Sequence, residues 1–156
     1  MTFKFIVDYN AGKLVKWLRL MGYDAVLFTG GDDRKLIASA LNDSRVILTR
    51  DTGVMKFGLV ISGKIQALNI NSEKPDEQIR QVVAVFLLDP KSGLFSRCLE
   101  CNGLLQRRSK EWAKGRVPPR VFEIRDEYFE CPNCGRIYWK GTHWEQMTKR
   151  LEELAA

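Results

Sequence analysis

Residues 3–22 read FKFIVDYNAGKLVKWLRLMG: an apolar strand-like run, an aspartate, a short polar break, then an amphipathic helix. Phe5, Ile6 and Val7 make the run. From Asn10, a suitable N-cap, Leu14, Trp17, Leu18 and Met21 fall at i, i+3, i+4 and i+7 on one helical face, and Gly22 is placed to end the helix. A strand followed at once by a helix that packs back on it is the repeating unit of a parallel α/β sheet. Outward from this stretch the unit recurs. Ala25 to Phe28 reads as a second strand, Gly30-Gly31 as a turn, and Asp32 or Asp33 as the cap of a helix with Leu36, Ile37, Ala40 and Leu41 inward. Val46 to Thr49 is a third strand, Ile65 to Ile70 a fourth, and a helix from about Pro75 turns Ile79, Val82, Val83 and Phe86 to one side. The segment from Asp51 to Gly63 is poorly periodic.

Asp89-Pro90-Lys91-Ser92-Gly93 breaks the pattern and reads as a linker, dividing a unit at 1–92 from one at 93–156. All four cysteines fall in the second unit, as Cys98-x-x-Cys101 and Cys131-x-x-Cys134 with 29 residues between the pairs. Two C-x-x-C turns suit tetrahedral coordination of one metal ion. Zinc is the first expectation and iron the rival, because four sulfur ligands accept either. About 50 residues make a marginal core, which a structural metal would staple. The short alternating run Arg136-Ile137-Tyr138-Trp139 indicates a β module, and an amphipathic helix is expected from Thr142 through Met147 and Leu151 to Leu154.

The carboxyl ends of parallel strands form the ligand edge of an α/β sheet. Asp8 directly follows the first strand and Asp51 lies just beyond the third, so both are expected at that edge, with Asp33 as a third acid from a helix start. Like charges brought together repel unless a cation holds them, and a hard ion such as Mg²⁺ or Mn²⁺ suits carboxylate ligands. The competing expectation is structural, since aspartates at strand ends and helix starts commonly cap backbone N–H groups. Asp24 and Asp43 occupy similar positions and serve as the comparison.

The chain has 156 residues, 45% apolar and 28% charged, with a net charge of +6. These values fit a globular protein and disfavour disorder or a coiled coil. The positive charge suits a polyanionic partner. Residues 1–93 hold 13 basic and 10 acidic side chains against 12 and 9 in the remainder, so neither part is a basic tail. No apolar run reaches the length of a membrane span and no secretory signal is visible, so a cytoplasmic protein without a membrane partner is expected. Neither a phosphate-binding P-loop nor a dinucleotide turn is present, so no nucleotide cofactor is expected. His143 is the only histidine, which leaves a serine-hydrolase triad little support.

Three groups of residues together resemble a known family. They are Asp8 with the helix Gly12 to Asp24, the run Leu48-Thr49-Arg50-Asp51, and a C-terminal part with Phe95 to Gly103, Arg116-Val117-Pro118-Pro119 and Cys131 to Trp144. Over nearly the whole chain these resemble the Mut-seven C-terminal RNase family, a PIN-like ribonuclease domain with a zinc ribbon. The resemblance implies a three-layer α/β/α fold with a mostly parallel sheet and a rubredoxin-like knuckle module. It implies a Mg²⁺- or Mn²⁺-dependent nuclease acting on RNA, in which Asp8, Asp33 and Asp51 form the acidic cluster and Asp8 and Asp51 bind the catalytic metal. It also implies Cys98, Cys101, Cys131 and Cys134 as ligands of a structural zinc, and Lys13, Arg19 and Arg50 as phosphate contacts. Because Thr52 and Gly53 follow Asp51 and no fourth acid can be assigned, a non-catalytic nucleic-acid-binding adaptor on the same fold is the alternative.

Overall fold

The first strand, β1 (Lys4–Asp8), lies inside a four-stranded parallel sheet with β2 (Asp24–Phe28), β3 (Val46–Thr49) and β4 (Ala67–Asn69), in the order β2-β1-β3-β4. Its register sets Asp8 beside Phe28 and Val7 beside Leu48. The structure is a computed structural model describing residues 2–156; Met1, the first residue of the expected 1–92 unit, lies outside the described residues. Successive strand residues point to opposite faces, and both faces are covered. Phe5, Val7 and Leu48 pack in one cluster with Leu14 and Leu18 of α1 (Leu14–Leu20) and Ile79, Val82 and Val83 of α4 (Pro75–Phe86). Ile6 and Ile47 pack on the other face with Leu36, Ile37 and Ala40 of α2 (Asp33–Asp43). The result is an α/β/α layering.

The local signals are read closely but not to the residue. Asp8, rather than Asn10, begins the first turn: its carboxylate accepts from the Tyr9 N–H, a 3₁₀ turn spans Tyr9–Ala11, and α1 follows. Asp32 caps α2 by accepting from the Lys35 N–H at 2.8 Å, which leaves Asp33 inside the first turn. Pro75 opens α4 as expected. The fourth strand is shorter than Ile65 to Ile70, because Ile65 is tied instead to the Leu59 carbonyl. The poorly periodic stretch folds as a 3₁₀ helix, Thr52–Lys56, and a single turn, α3 (Gly58–Ile61).

The expected linker is exposed at Asp89, Lys91 and Ser92 but closely packed at its last residue, Gly93. Gly22 has φ near +93°, and a Cβ there would stand 2.7 Å from the Gly93 Cα, so the two glycines permit a backbone crossing. Beyond it, β5 (Gln106–Arg108), β6 (Tyr128–Glu130) and β7 (Ile137–Tyr138) form a three-stranded antiparallel sheet. Two short helices, α5 (Lys110–Ala113) and α6 (Pro119–Ile124), connect β5 to β6. The last helix, α7 (Thr142–Ala155), leaves this sheet and returns: Leu151 and Leu154 are buried in the same cluster as Phe5 and Val7. Stacked Phe95 and Phe129, with Trp144 against Phe95, join the small sheet to α7.

Candidate active site and cysteine centre

At the carboxyl edge of the parallel sheet, Asp8 is 5% exposed and Thr49 fully buried. The Thr49 hydroxyl donates to Asp8 Oδ2 at 2.8 Å and accepts from the Asp51 N–H at 3.0 Å. One side chain therefore ties the two strand-end acids together. Asp51 Oδ1 accepts from the Gly53 N–H at 2.8 Å and caps the following 3₁₀ helix. Asp33 reaches the same place from the start of α2: a Cβ at Gly53 would lie 3.0 Å from Asp51 Oδ1 and 3.6 Å from Asp33 Oδ2. Partial burial, then a hydrogen bond with Asp51, then the charges of Asp51, Asp8 and Asp32 raise the Asp33 carboxyl above its ordinary range. A group raised by acidic neighbours is one for which a cation would relieve repulsion. The absence of a side chain at Gly53 leaves this edge open.

The expectation that these acids converge and the expectation that they cap backbone both describe the structure. Asp8 and Asp51 each use one oxygen as a cap, and Asp33 is left for the cluster because Asp32 takes the capping duty. The comparison residues are structural. Asp24 pairs with Arg45 at 2.7 Å and accepts from Asn102 at the same distance; burial alone would raise it, but these bonds hold its carboxyl below the usual range. Asp43 also faces Arg45, at 3.7 Å.

The basic residues divide. Lys13 and Arg50 are exposed and line a cavity of about 450 Å³ beside the cluster, with Tyr9, Asn10 and Gln78. Asn10 sits between the acids and this cavity: its amide approaches Asp8 Oδ2 at 3.4 Å and its carbonyl accepts from the Arg50 N–H at 3.0 Å. Arg19, expected among the phosphate contacts, is placed elsewhere. Its Nε donates to the Ala25 carbonyl at 2.9 Å and its Nη1 to the Leu99 carbonyl at 3.0 Å. Ala25 pairs with Phe5, three strand steps or about 10 Å from Asp8 toward the amino end. The basic residue following Trp17 and Leu18 thus joins β2 to the first cysteine knuckle, and burial lowers its pKa.

The four cysteine sulfurs lie within 4.8 Å of one another, whereas the three carboxylates are more widely spread. Cys98 and Cys134 Sγ are 3.6 Å apart, Cys101 and Cys131 Sγ 3.3 Å. Tetrahedral ligands at a Zn–S bond of about 2.3 Å stand about 3.8 Å apart, so the residues fit a zinc-sized ion. Hydrogen bonds from Asn133, then from the Gly103 backbone, pull the Cys101 thiol down to about 6, whereas burial pushes Cys131 up to about 12. Tyr138 OH, 3.0 Å from Cys98 Sγ, supplies an outer partner.

This centre sits at the amino end of the parallel sheet, away from the acids. Asn102 accepts from the Ala25 N–H at 3.1 Å, Arg97 donates to the Gly22 carbonyl at 3.1 Å, and Lys16 pairs with Glu100 at 3.0 Å. Sequence reasoning missed Thr49, Asn10 and Asn102. The polar residue ending an otherwise apolar strand is the available signal for Thr49; the sequence offers Asn10 only as a cap, and Asn102 carries no signal beyond its place after Cys101.

The fold and its two clusters define an α/β protein with acids gathered at one sheet edge and four cysteines that could hold a metal ion at the other. A family model described as the Mut7-C RNAse domain matches residues 3–151, and the chain belongs to that family. Membership gives it a nuclease-like role with RNA as the substrate class. Comparison with curated proteins and with solved structures gives no match. No helix among the described residues is long and apolar enough to cross a membrane.

Proposed function

We propose that the protein is a Mg²⁺- or Mn²⁺-dependent ribonuclease that hydrolyses RNA phosphodiester bonds at Asp8, Asp33 and Asp51. The observation that carries this reading is the Thr49 hydroxyl, which couples Asp8 to the Asp51 backbone beneath the raised Asp33 carboxyl. Asp8 and Asp51 would hold the ion, with Asp33 beside them; the lone pairs that their carboxylates keep beyond these hydrogen bonds, and their mutual repulsion, fit a hard cation. Such an ion, when bound, activates water and stabilises charge on the phosphate. The protein's own residues orient the reaction: Thr49 and Asn10 fix the Asp8 carboxylate, and the Gly53 N–H fixes that of Asp51. Lys13 and Arg50 hold flanking phosphates from the adjoining cavity.

The division at 92/93 belongs to this reading. Residues 1–92 form a PIN-like catalytic unit and 93–156 a zinc ribbon with a terminal helix, in a cytoplasmic enzyme. Zinc at the four cysteines is structural, because a Cys₄ site leaves no open position. The looser spacing of the carboxylates favours one competing reading, a nucleic-acid-binding adaptor. The test is cleavage of labelled RNA with Mn²⁺ by wild type and by Asp8→Asn, which retains an oxygen to accept from the Tyr9 N–H. Cleavage by wild type alone supports the ribonuclease. Equal cleavage overturns the site, and RNA binding without cleavage by either selects the adaptor.

A further inference from the structure

Two cavities beside the acidic edge share Gly12 and Lys13. The first, of about 450 Å³, adjoins the carboxylates across Asn10. The second, of about 520 Å³, continues along α1 and is closed by α7: Lys16 and Trp17 line it from one side, Met147 and Arg150 from the other. Each volume lies in the range of roughly 300–1,000 Å³ that accommodates a nucleotide-sized ligand.

The linings suit a polyanion with exposed rings. Lys13 and Arg50 outnumber Glu73 on the first wall. Gln78, 3% exposed, also lines it; its Nε2 donates to the Ser72 carbonyl at 2.8 Å, and its Oε1 accepts no hydrogen bond among the described residues. Its Oε1 is open at the cavity wall, where a ribose hydroxyl can donate to it as water does. In the second chamber the Arg150 guanidinium lies 5.4 Å from the Trp17 ring centre and is held by Asp76. One donor of five is thereby used, and one of three on the Lys16 ammonium, which pairs with Glu100.

We propose that the two chambers form one cleft for single-stranded RNA, with α7 completing the subsite for a nucleotide that flanks the scissile phosphate. Lys13 and Lys16 meet its phosphates, and its base lies against Trp17 and Arg150. The inference rests on the ribonuclease reading and assigns the C-terminal unit's contribution to α7 instead of to the four cysteines, the first knuckle reaching the chamber only through the Glu100 that pairs with Lys16. A duplex keeps its bases stacked internally and offers none to this aromatic wall, which is why the ligand is a single strand. On the other basic surface, residues 107–125, Arg107 pairs with Glu127, Arg108 with Glu130, Lys110 with Asp126 and Arg125 with Glu145, which leaves Lys114, Arg116 and Arg120 as the rival set of cations.

The test is fluorescence anisotropy of a labelled ten-nucleotide oligouridylate with the full zinc-loaded chain, without Mg²⁺ or Mn²⁺, so that binding is read apart from cleavage. Arg150→Ala should weaken binding on the order of tenfold. Lys16→Ala should also lower the slope of log affinity against log salt by about 0.7, the share of one phosphate contact on a single strand. Arg150→Gln, which keeps the stem packed over Trp17, should behave like Arg150→Ala, and thermal melts confirm that each variant is folded. A duplex should compete at least tenfold less well. Wild-type affinity and slope in these variants, equal competition by duplex, or loss that follows Lys114→Ala, Arg116→Ala and Arg120→Ala instead would overturn the cleft. None of those results touches the Asp8 cleavage comparison, which tests the underlying reading separately.

Discussion

Replacing Thr49 by valine preserves the shape of a fully buried side chain and removes the one hydroxyl that links the strand-end acids. Two losses follow. The Asp51 N–H is left without its partner, at a cost of about 1–3 kcal/mol for a buried unpaired donor, and Asp8 loses a charge-assisted bond of about 1.5–3 kcal/mol. The two overlap, because both belong to one hydroxyl, so a net loss of about 2–4 kcal/mol is expected. For a chain of this length that lowers the melting temperature by roughly 4–16 °C. Orienting partners of metal ligands are worth about 10–100-fold in affinity, and Mn²⁺ binding by calorimetry should fall accordingly. Thr49→Ser separates the effects: it keeps the hydroxyl and deletes a methyl, so about 1 kcal/mol of stability is lost while Mn²⁺ affinity stays near wild type. Denaturant unfolding and Mn²⁺ titration of the three proteins form the assay. If valine binds Mn²⁺ as tightly as threonine, or serine as weakly as valine, the hydroxyl does not organise the acids.

Other consequences are directional. Asp33 is raised in the folded protein, so its ionisation opposes folding above its ordinary pKa; Asp33→Asn should lift the melting temperature at neutral pH by a degree or two without divalent ions, a partly exposed site being worth under about 1 kcal/mol. The same variant should bind Mn²⁺ more weakly, which titration will show. Asp24 is depressed, so the stability it contributes is present above about pH 4 and is lost as pH falls through its lower folded value. Hydrogen exchange at the Ala25 amide, which donates to Asn102, should therefore accelerate in acid before exchange in the centre of β3 does. Elemental analysis should find one zinc per chain, and its removal, or Cys131→Ser, should abolish near-ultraviolet circular dichroism from the β5–β7 sheet while far-ultraviolet helix content is largely retained.

Much of the molecule is legible in one dimension because the signals are local. Phe5-Ile6-Val7, the Leu14-Trp17-Leu18-Met21 stripe and Pro75 each specify an element through periodicity or a fixed dihedral, and the two tight cysteine turns specify four sulfurs spaced as a metal would require. Strand polarity then brings Asp8 and Asp51 to one edge, since parallel strands have a common carboxyl end. The choice between Asp32 and Asp33 was not local: both can cap, and the path of α2 past Gly53 assigns one to the backbone and the other to the cluster.

Arg19 shows the opposite limit. On the sequence it is one more cation on a basic helix, equally suited to phosphate; in the fold its donors meet carbonyls from β2 and the first knuckle, because the 93–105 segment crosses the amino edge of the sheet. The return of α7 to the first core, and with it the cleft beside Trp17, likewise depends on how far the small sheet carries the chain before the helix begins. Element type, the order of strands and helices and the pairing of the cysteine turns were thus determined by the sequence alone, through short-range sterics and hydrophobic period. Which acid faces which, which arginine is free, and what closes the groove were decided only by tertiary packing, because those relations join residues dozens of positions apart.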